Sequence, residues 1–259
     1  MSTSPPSFAE VVERLAAAGC VAAEEEATDL LAAAPDAATL AGWIARREDG
    51  EPFAWLTGTT QFCGLSVRID PGLYVPRFET EELARRAASV VAGLRGARAV
   101  DLCTGSGAIA RVLTTRVPTA QVVAADLDRR AVACARRNGV PAVVGDLGGA
   151  FRSGAFDVVT AVAPYVPTPD LGFLPADVQR YEPRLALDGG HDGLDVVRRV
   201  ISAAARLLRP EGWLLTEVGG DQDRSLRTCL DDQGFGEMTT WCDGDGDLRG
   251  LAAQRRAPA

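Results

Sequence analysis

Along the first part of the chain, apolar side chains recur three and four positions apart: Val11, Leu15 and Ala18, then Leu30, Leu31 and Ala34. That period places them on one face of a helix, and Pro35-Asp36 marks where a new helix starts. The stretch from Phe8 to about Arg47 therefore predicts a small helical unit. Between Gln61 and Val75 the period shortens to two, with β-prone Phe62, Leu65, Val67 and Ile69 interrupted by Gly64 and by Pro71-Gly72. This is the pattern of a strand pair or hairpin, here a linker. From Glu79 onward helical and strand-like segments alternate: helix 79–93, strand 98–102, helix 107–116, strand 121–126, helix 128–137, a short strand near 141–145 and strand 156–162. Helix 193–208, strand 212–218, helix 222–233 and closing strands near 235–241 and 249–254 follow. Such alternation predicts an α/β fold, a mostly parallel sheet with helices on both faces. Only the turn-rich Asp243-Gly244-Asp245-Gly246-Asp247 separates the last two strands, so they should pair antiparallel. The expected division is 1–58 helical, 59–75 hairpin linker and 76–259 α/β.

Composition narrows the chemistry. The 259 residues are 47% hydrophobic and 24% charged, enough for one large or two modest cores. All 27 basic residues are arginine, and there is one histidine, His191, and one asparagine, Asn138. Without lysine, Schiff-base enzymes and phosphate-loop NTPases of the usual pattern are excluded. A single histidine excludes a multi-histidine metal site, no metal is expected, and His191 sits in a Gly/Asp-rich turn where it reads as solvated. A net charge of −8 argues against direct nucleic-acid binding. No run of 18 apolar residues occurs, and Met1 to Glu10 lacks a basic region followed by an apolar stretch, so neither a membrane span nor a signal peptide is expected. Six scattered cysteines without a Cys-x-x-Cys pair suit reduced thiols in a cytoplasm.

The sharpest local signal is Val100-Asp101-Leu102-Cys103-Thr104-Gly105-Ser106-Gly107-Ala108, a strand entering a glycine turn and then a helix. Gly105 and Gly107 allow close backbone approach to a ligand, with Thr104 before them, Ser106 between them and free N–H groups at the helix start. Asp126, followed by Leu127, ends the next apolar strand, where a carboxylate can accept both hydroxyls of a ribose. Asp146, followed by Leu147, ends the third strand and is placed to receive an adenine amino group. Together these residues describe a pocket for an adenosine-bearing ligand, either a nicotinamide dinucleotide or S-adenosylmethionine. Asp101 favours the latter, because an acidic strand end can hold a cationic amino group and repels a pyrophosphate. A nicotinamide-dependent oxidoreductase also needs a general acid, and lysine is absent while histidine nearly is.

Further words follow in order: Phe62-Cys63-Gly64-Leu65, Val75-Pro76-Arg77-Phe78-Glu79-Thr80-Glu81, Ala161-Val162-Ala163-Pro164-Tyr165, Tyr181-Glu182-Pro183, and Glu217-Val218-Gly219-Gly220-Asp221-Gln222. With the glycine turn, they resemble the HemK/PrmC family of methyltransferases, from about Pro52 to the end of the fifth strand. That resemblance implies a Rossmann-like seven-stranded methyltransferase domain, a β-hairpin linker and an N-terminal helical domain that recognises substrate. It implies S-adenosylmethionine as cofactor and, as reaction, methylation of a glutamine side-chain amide in a protein such as a peptide-chain release factor. It also implies that Val162, Ala163, Pro164 and Tyr165, at the positions of the family's Asn-Pro-Pro-Tyr, hold the target group. Arg77, Glu79, Tyr165 and Glu182 are the expected substrate-binding residues. Arg77 and Glu79 sit at the domain junction, where they either pair as a clamp or reach the substrate.

Val162 departs from the family pattern. An amide nitrogen is a poor nucleophile, so its NH2 must be held by acceptors and aimed at the sulfonium methyl. In the family the asparagine oxygen and the next backbone carbonyl do this, and valine offers no acceptor. Losing one such hydrogen bond typically costs about 1–3 kcal/mol, roughly ten- to a hundredfold in rate. Three readings stand. Glutamine methylation persists with the backbone carbonyl of Val162 or Ala163, or a carboxylate such as Glu182 or Asp170, as acceptor. Alternatively, the acceptor is an amine or guanidinium of a small molecule or another protein, or the chain binds cofactor with little transfer.

Overall fold

The computed structural model describes residues 6–257; Met1 to Pro5, part of the stretch read for a leader, lie outside the described residues. Four helices open the chain: α1 (Phe8–Ala17), α2 (Ala23–Ala33), α3 (Ala37–Glu48) and the single turn α4 (Phe53–Thr57). Ser7 and Glu10 close a capping box at the start of α1, and Asp36 caps α3 by accepting from the Thr39 N–H at 2.7 Å. Val11, Leu15, Ala27, Leu30, Leu40 and Ile44 form a small core of their own. At α4 the chain changes allegiance: Phe53 packs on that core, while Ala54 and Trp55 enter the larger one beyond it.

Strands β1 (Thr59–Phe62) and β2 (Leu65–Arg68) pair antiparallel across a two-residue turn, Cys63-Gly64. Both turn residues have positive φ, 52° and 77°, as a type I′ hairpin requires, with glycine taking the second position at no steric cost. Phe62, Val67 and Ile69 point into the large core, so the hairpin is packed rather than loose.

The remainder is a seven-stranded sheet. Its strands are β3 (Arg98–Leu102), β4 (Gln121–Asp126), β5 (Ala142–Val144), β6 (Phe156–Ala161), β7 (Leu208–Glu217), β8 (Phe235–Cys242) and β9 (Leu248–Arg255), in the order β5-β4-β3-β6-β7-β9-β8. β3 to β7 pair in parallel, and β9 enters antiparallel between β7 and β8, as the turn-rich Asp243–Asp247 segment leads one to expect. Every residue of β6 is buried, the signature of a strand covered on both faces. One face is covered by α5 (Thr80–Ala92), α6 (Ala108–Arg116) and α7 (Arg129–Arg137), the other by α9 (Asp195–Leu207) and α10 (Gln222–Asp232).

Two details differ from the sequence expectation. β7 begins at Leu208, directly after α9: Leu208 pairs with Phe156, the polar Arg-Pro-Glu-Gly stretch with its left-handed Glu211 bulges out, and the ladder resumes at Trp213. Between β6 and α9 the chain is not featureless: it forms a six-residue 3-10 helix (Thr168–Phe173), the short helix α8 (Ala176–Tyr181) and a single 3-10 turn (Arg184–Ala186). Among the described residues no helix is long and apolar enough to cross a membrane.

Strand order reverses between β3 and β6, since β4 and β5 lie on one side of β3 and β6 on the other. At such a switch the connections leave in opposite directions and open a crevice at the carboxyl ends of the strands. Asn138, the C-cap of α7, fastens the hairpin to this end. Its amide donates to the Arg68 and Ser106 carbonyls at 2.9 and 2.8 Å and accepts from the Arg68 N–H at 2.8 Å. The residue is 4% exposed. Asn138→Ala leaves these backbone groups unpaired, and a loss of at least about 1–3 kcal/mol is expected in denaturant unfolding. Asn138→Asp, although isosteric, is destabilised as well, because a carboxylate cannot donate to two carbonyls.

Candidate active site

The glycine turn is built from the strand end upward. Asp101 in β3 is 1% exposed, and its two carboxylate oxygens accept from the Thr104 hydroxyl at 2.5 Å and the Thr160 hydroxyl at 2.7 Å. Burial pushes its pKa up to about 6, against the pull of those two bonds. A ligand-facing carboxylate is the expectation from sequence; the structure encloses it, and its contacts are hydroxyls of the chain. The two glycines also divide their work. A Cβ on Gly107 would lie 2.9 Å from the Ala135 Cβ, so this residue is bare to let α6 meet α7. A Cβ on Gly105 would meet nothing within 4 Å, and only here does the turn face open space.

Asp126, at the end of β4, accepts from the Gly105 N–H and the Asp128 N–H, both at 2.8 Å. Burial raises its pKa while these backbone bonds oppose the rise, and each oxygen keeps lone-pair capacity for a further donor. Leu127 beside it is 56% exposed, an apolar side chain left facing solvent. Asp146 is not free, as the sequence suggests, because Arg199 of α9 spans both its oxygens at 2.7 and 2.6 Å. Both side chains of this pair are more than half exposed, so exchanging it for another donor costs little. Asp146, Leu147, Arg199 and Arg206 line a cleft of about 460 Å³. A larger cleft of about 550 Å³ lies at Arg98 and Gln121, at the opposite ends of the strands and away from every expected site residue. Among the described residues no group of three or more His, Cys, Asp or Glu is placed to hold a metal.

The second half of the site leaves β6, which pairs with β3 so that Leu102 faces Ala161. Val162 is half-buried against the core and Ala163 is 1% exposed. Tyr165 is held at both ends. Its hydroxyl donates to Glu217 at 2.8 Å, and its carbonyl accepts from Gln222 at 2.9 Å. Burial, with the Glu217 charge beside it, pushes the phenol pKa well up. Arg77 pairs with Glu182 at 2.5 Å and not with its neighbour Glu79, which is exposed. The Arg77 guanidinium also lies over the Tyr74 ring, 4.9 Å from its centroid. Glu182 has a side chain only 2% exposed, and its second carboxylate oxygen is buried without a hydrogen-bond partner among the described residues. Burial raises its pKa, partly offset by Arg77. Asp170, the other carboxylate considered as an acceptor, is exposed on a 3-10 turn, and His191 is exposed in its loop.

Sequence reasoning assigns no role to Tyr74, Thr80, Glu217 or Gln222. Glu217 and Gln222 stand in a family-like word, yet a carboxylate at a strand end carries no signal of which side chain it will meet.

This donor set suits an adenosine ligand with a positive charge: a turn open at Gly105, a carboxylate with spare acceptor capacity, an exposed leucine, and no lysine to meet a pyrophosphate. The doubly wound sheet with its antiparallel β9 and the turn at its switch point define a Rossmann-like, S-adenosylmethionine-dependent methyltransferase. At the level of fold, the structure is similar to the ribosomal protein L11 methylase of Lactobacillus delbrueckii, with a TM-score of 0.52 and 18% identity over 74% of this chain and 84% of that one. It is equally similar to a methyltransferase of Pyrococcus furiosus, with a TM-score of 0.52 and 15% identity over 82% and 98%.

Residues 99–181 match the methyltransferase domain family. The chain is 38% identical over 215 residues to the release factor glutamine methyltransferase of Geobacter sulfurreducens, covering 79% of this chain and 74% of that protein. It is 36% identical over 236 residues to the Streptomyces coelicolor protein of the same name, covering 83% and 84%. The chain belongs to the release factor glutamine methyltransferase family.

Asp101 gives the fold a pH dependence of known sign. Its carboxyl binds a proton more tightly folded than unfolded, so its contribution to stability falls as pH rises from about 4 through about 6, where it ionises inside the fold. Asp101→Asn lacks this loss. The melting temperature of the variant, measured against the unsubstituted chain between pH 4 and pH 7, should rise relative to it across that window.

Proposed function

We propose that this protein transfers the methyl group of S-adenosylmethionine to a glutamine side-chain amide of a protein such as a peptide-chain release factor. The observation that carries this reading is the identity to release factor glutamine methyltransferases over most of the chain. In it, residues 1–58 and the hairpin 59–75 engage the protein substrate and 76–259 carries the reaction, in a cytoplasm where the free cysteines stay reduced.

Asp126 would accept the ribose hydroxyls, with Leu127 and Leu147 against the adenine and Asp146 exchanging Arg199 for the adenine amino group. Thr104, Gly105, Ser106 and Gly107 would shape the turn around the methionine portion, kept in position by Asp101. The cofactor supplies an electrophilic methyl on its sulfonium, so the chain has only to orient the nucleophile and exclude water. No general base is needed, since the methylated amide loses its proton to water afterwards. The backbone carbonyls of Val162 and Ala163 would take one hydrogen of the target NH2, Pro164 would hold the segment rigid and Tyr165 would flank the group.

A second reading, an amine or guanidinium acceptor, is favoured by one observation: the buried Glu182 oxygen that has no hydrogen-bond partner among the described residues, in a chain whose residue 162 is an apolar valine. A buried anionic acceptor suits a donor-rich cation as well as an amide.

Transfer of labelled methyl to a release factor bearing Gly-Gly-Gln separates the two. Val162→Asn restores an acceptor and should raise that rate by about ten- to a hundredfold. If the variant stays inactive there while the unsubstituted chain labels a small amine, the second reading replaces the first.

A further inference from the structure

The least expected group at the site is Glu217, the last residue of β7. It is 2% exposed, and among the described residues its two oxygens are met by neutral hydroxyls alone: Tyr165 at 2.8 Å on one and Thr80, from the first turn of α5, at 2.7 Å on the other. The charged groups facing it are Glu79, which opposes its ionisation, and Arg249, which favours it and is itself paired with Asp243. A buried carboxylate with no cation bonded to it is a burden on folding, and an apolar residue of similar volume would often serve stability as well or better. Packing therefore does not account for it, whereas its hydrogen bonds do something that an apolar side chain cannot.

They fix the direction of one ring. Gln222 holds the Tyr165 carbonyl while its own side-chain oxygen accepts from the Gly219 N–H at 3.0 Å, which leaves the two side-chain torsions of Tyr165 as its remaining freedom. The bond from the hydroxyl to Glu217 removes that freedom. Gly219 lies against the same ring, where a Cβ would stand 3.6 Å from Tyr165 Cε2. Through Thr80, the same carboxylate ties the ring to the segment that follows the hairpin linker.

We propose that Glu217 is a positioning residue for methyl transfer: by accepting from the Tyr165 and Thr80 hydroxyls it locks the Tyr165 ring beside the segment 162–164 in the orientation that aims the acceptor nitrogen. The inference rests on Tyr165 flanking the target group, as the proposed function has it. Orientation of this kind acts on the rate of transfer and not on cofactor affinity, and a displacement of about 1 Å can cost about a hundredfold.

The test uses the full chain and two readouts. In the protein alone, tyrosine labelled with carbon-13 at Cζ gives three signals, from Tyr74, Tyr165 and Tyr181. Glu217→Leu should move the Tyr165 signal and leave that of Tyr181, and Glu217→Gln should move it less. In transfer to a Gly-Gly-Gln release factor, assayed well below the melting temperature of either protein, Glu217→Leu should lower kcat by about ten- to a hundredfold with S-adenosylmethionine Kd unchanged. Glu217→Gln should recover most of that rate, and adding Tyr165→Phe to Glu217→Leu should cost nothing more. An unmoved Tyr165 signal overturns the proposal, as does a kcat that falls only in step with melting temperature and cofactor affinity. If the unsubstituted chain labels no release factor, the proposed function fails, and the Tyr165 signal still decides whether Glu217 orients the ring.

Discussion

One enclosed carboxylate organises the working end of this protein. Asp101 lies where β3, β6 and the glycine turn meet, and its hydrogen bonds to Thr160 and Thr104 join all three. β3 and β6 are the strands on either side of the order reversal, so this point defines the crevice. The arrangement is demanding, because a carboxylate taken out of water needs its donors in place before it is tolerable. The same demand makes the turn rigid: Thr104 cannot move without stranding Asp101, and the Gly105 N–H is in turn held by Asp126.

A second set of constraints fastens the remaining parts to that centre, and each joins segments far apart in sequence. Asn138 binds the hairpin to the glycine turn. Arg180 and Tyr181 of α8 both reach Asp49 at the end of α3. Arg77 and Glu182 join the linker to the segment after α8. The outermost of these pairs are exposed and contribute little energy. Their effect is on orientation, while the buried apolar faces of the sheet and helices supply the stability.

The absence of lysine and the single histidine fit this picture. When reactivity resides in a sulfonium methyl, a chain need not provide a nucleophile or a proton carrier, and its polar residues are free to serve as acceptors and braces. Asp126, Glu182 and Glu217 are acidic, and the arginines near them are committed to partners: Arg77 to Glu182 and Arg249 to Asp243. Asn138, the chain's one asparagine, acts as a structural clamp between the hairpin and the glycine turn.

Local pattern was enough to reveal most of the architecture. Period and turn chemistry marked the helices, the hairpin and the strands with their final antiparallel pair, because burial on one face and φ requirements are written residue by residue. The glycine turn with Asp126 was legible for the same reason. Partnership was not legible. That Asp101 is enclosed by two threonines, that Arg77 takes Glu182 rather than Glu79, that Asp146 is held by Arg199 and that Glu217 grips Tyr165 all depend on which strand and helix ends converge. A carboxylate's position in sequence tells what it can accept, and only the packed sheet decides what reaches it, since hydrogen bonds act over a few ångströms while all of these partners except Thr104 lie about fifty to more than a hundred residues away along the chain.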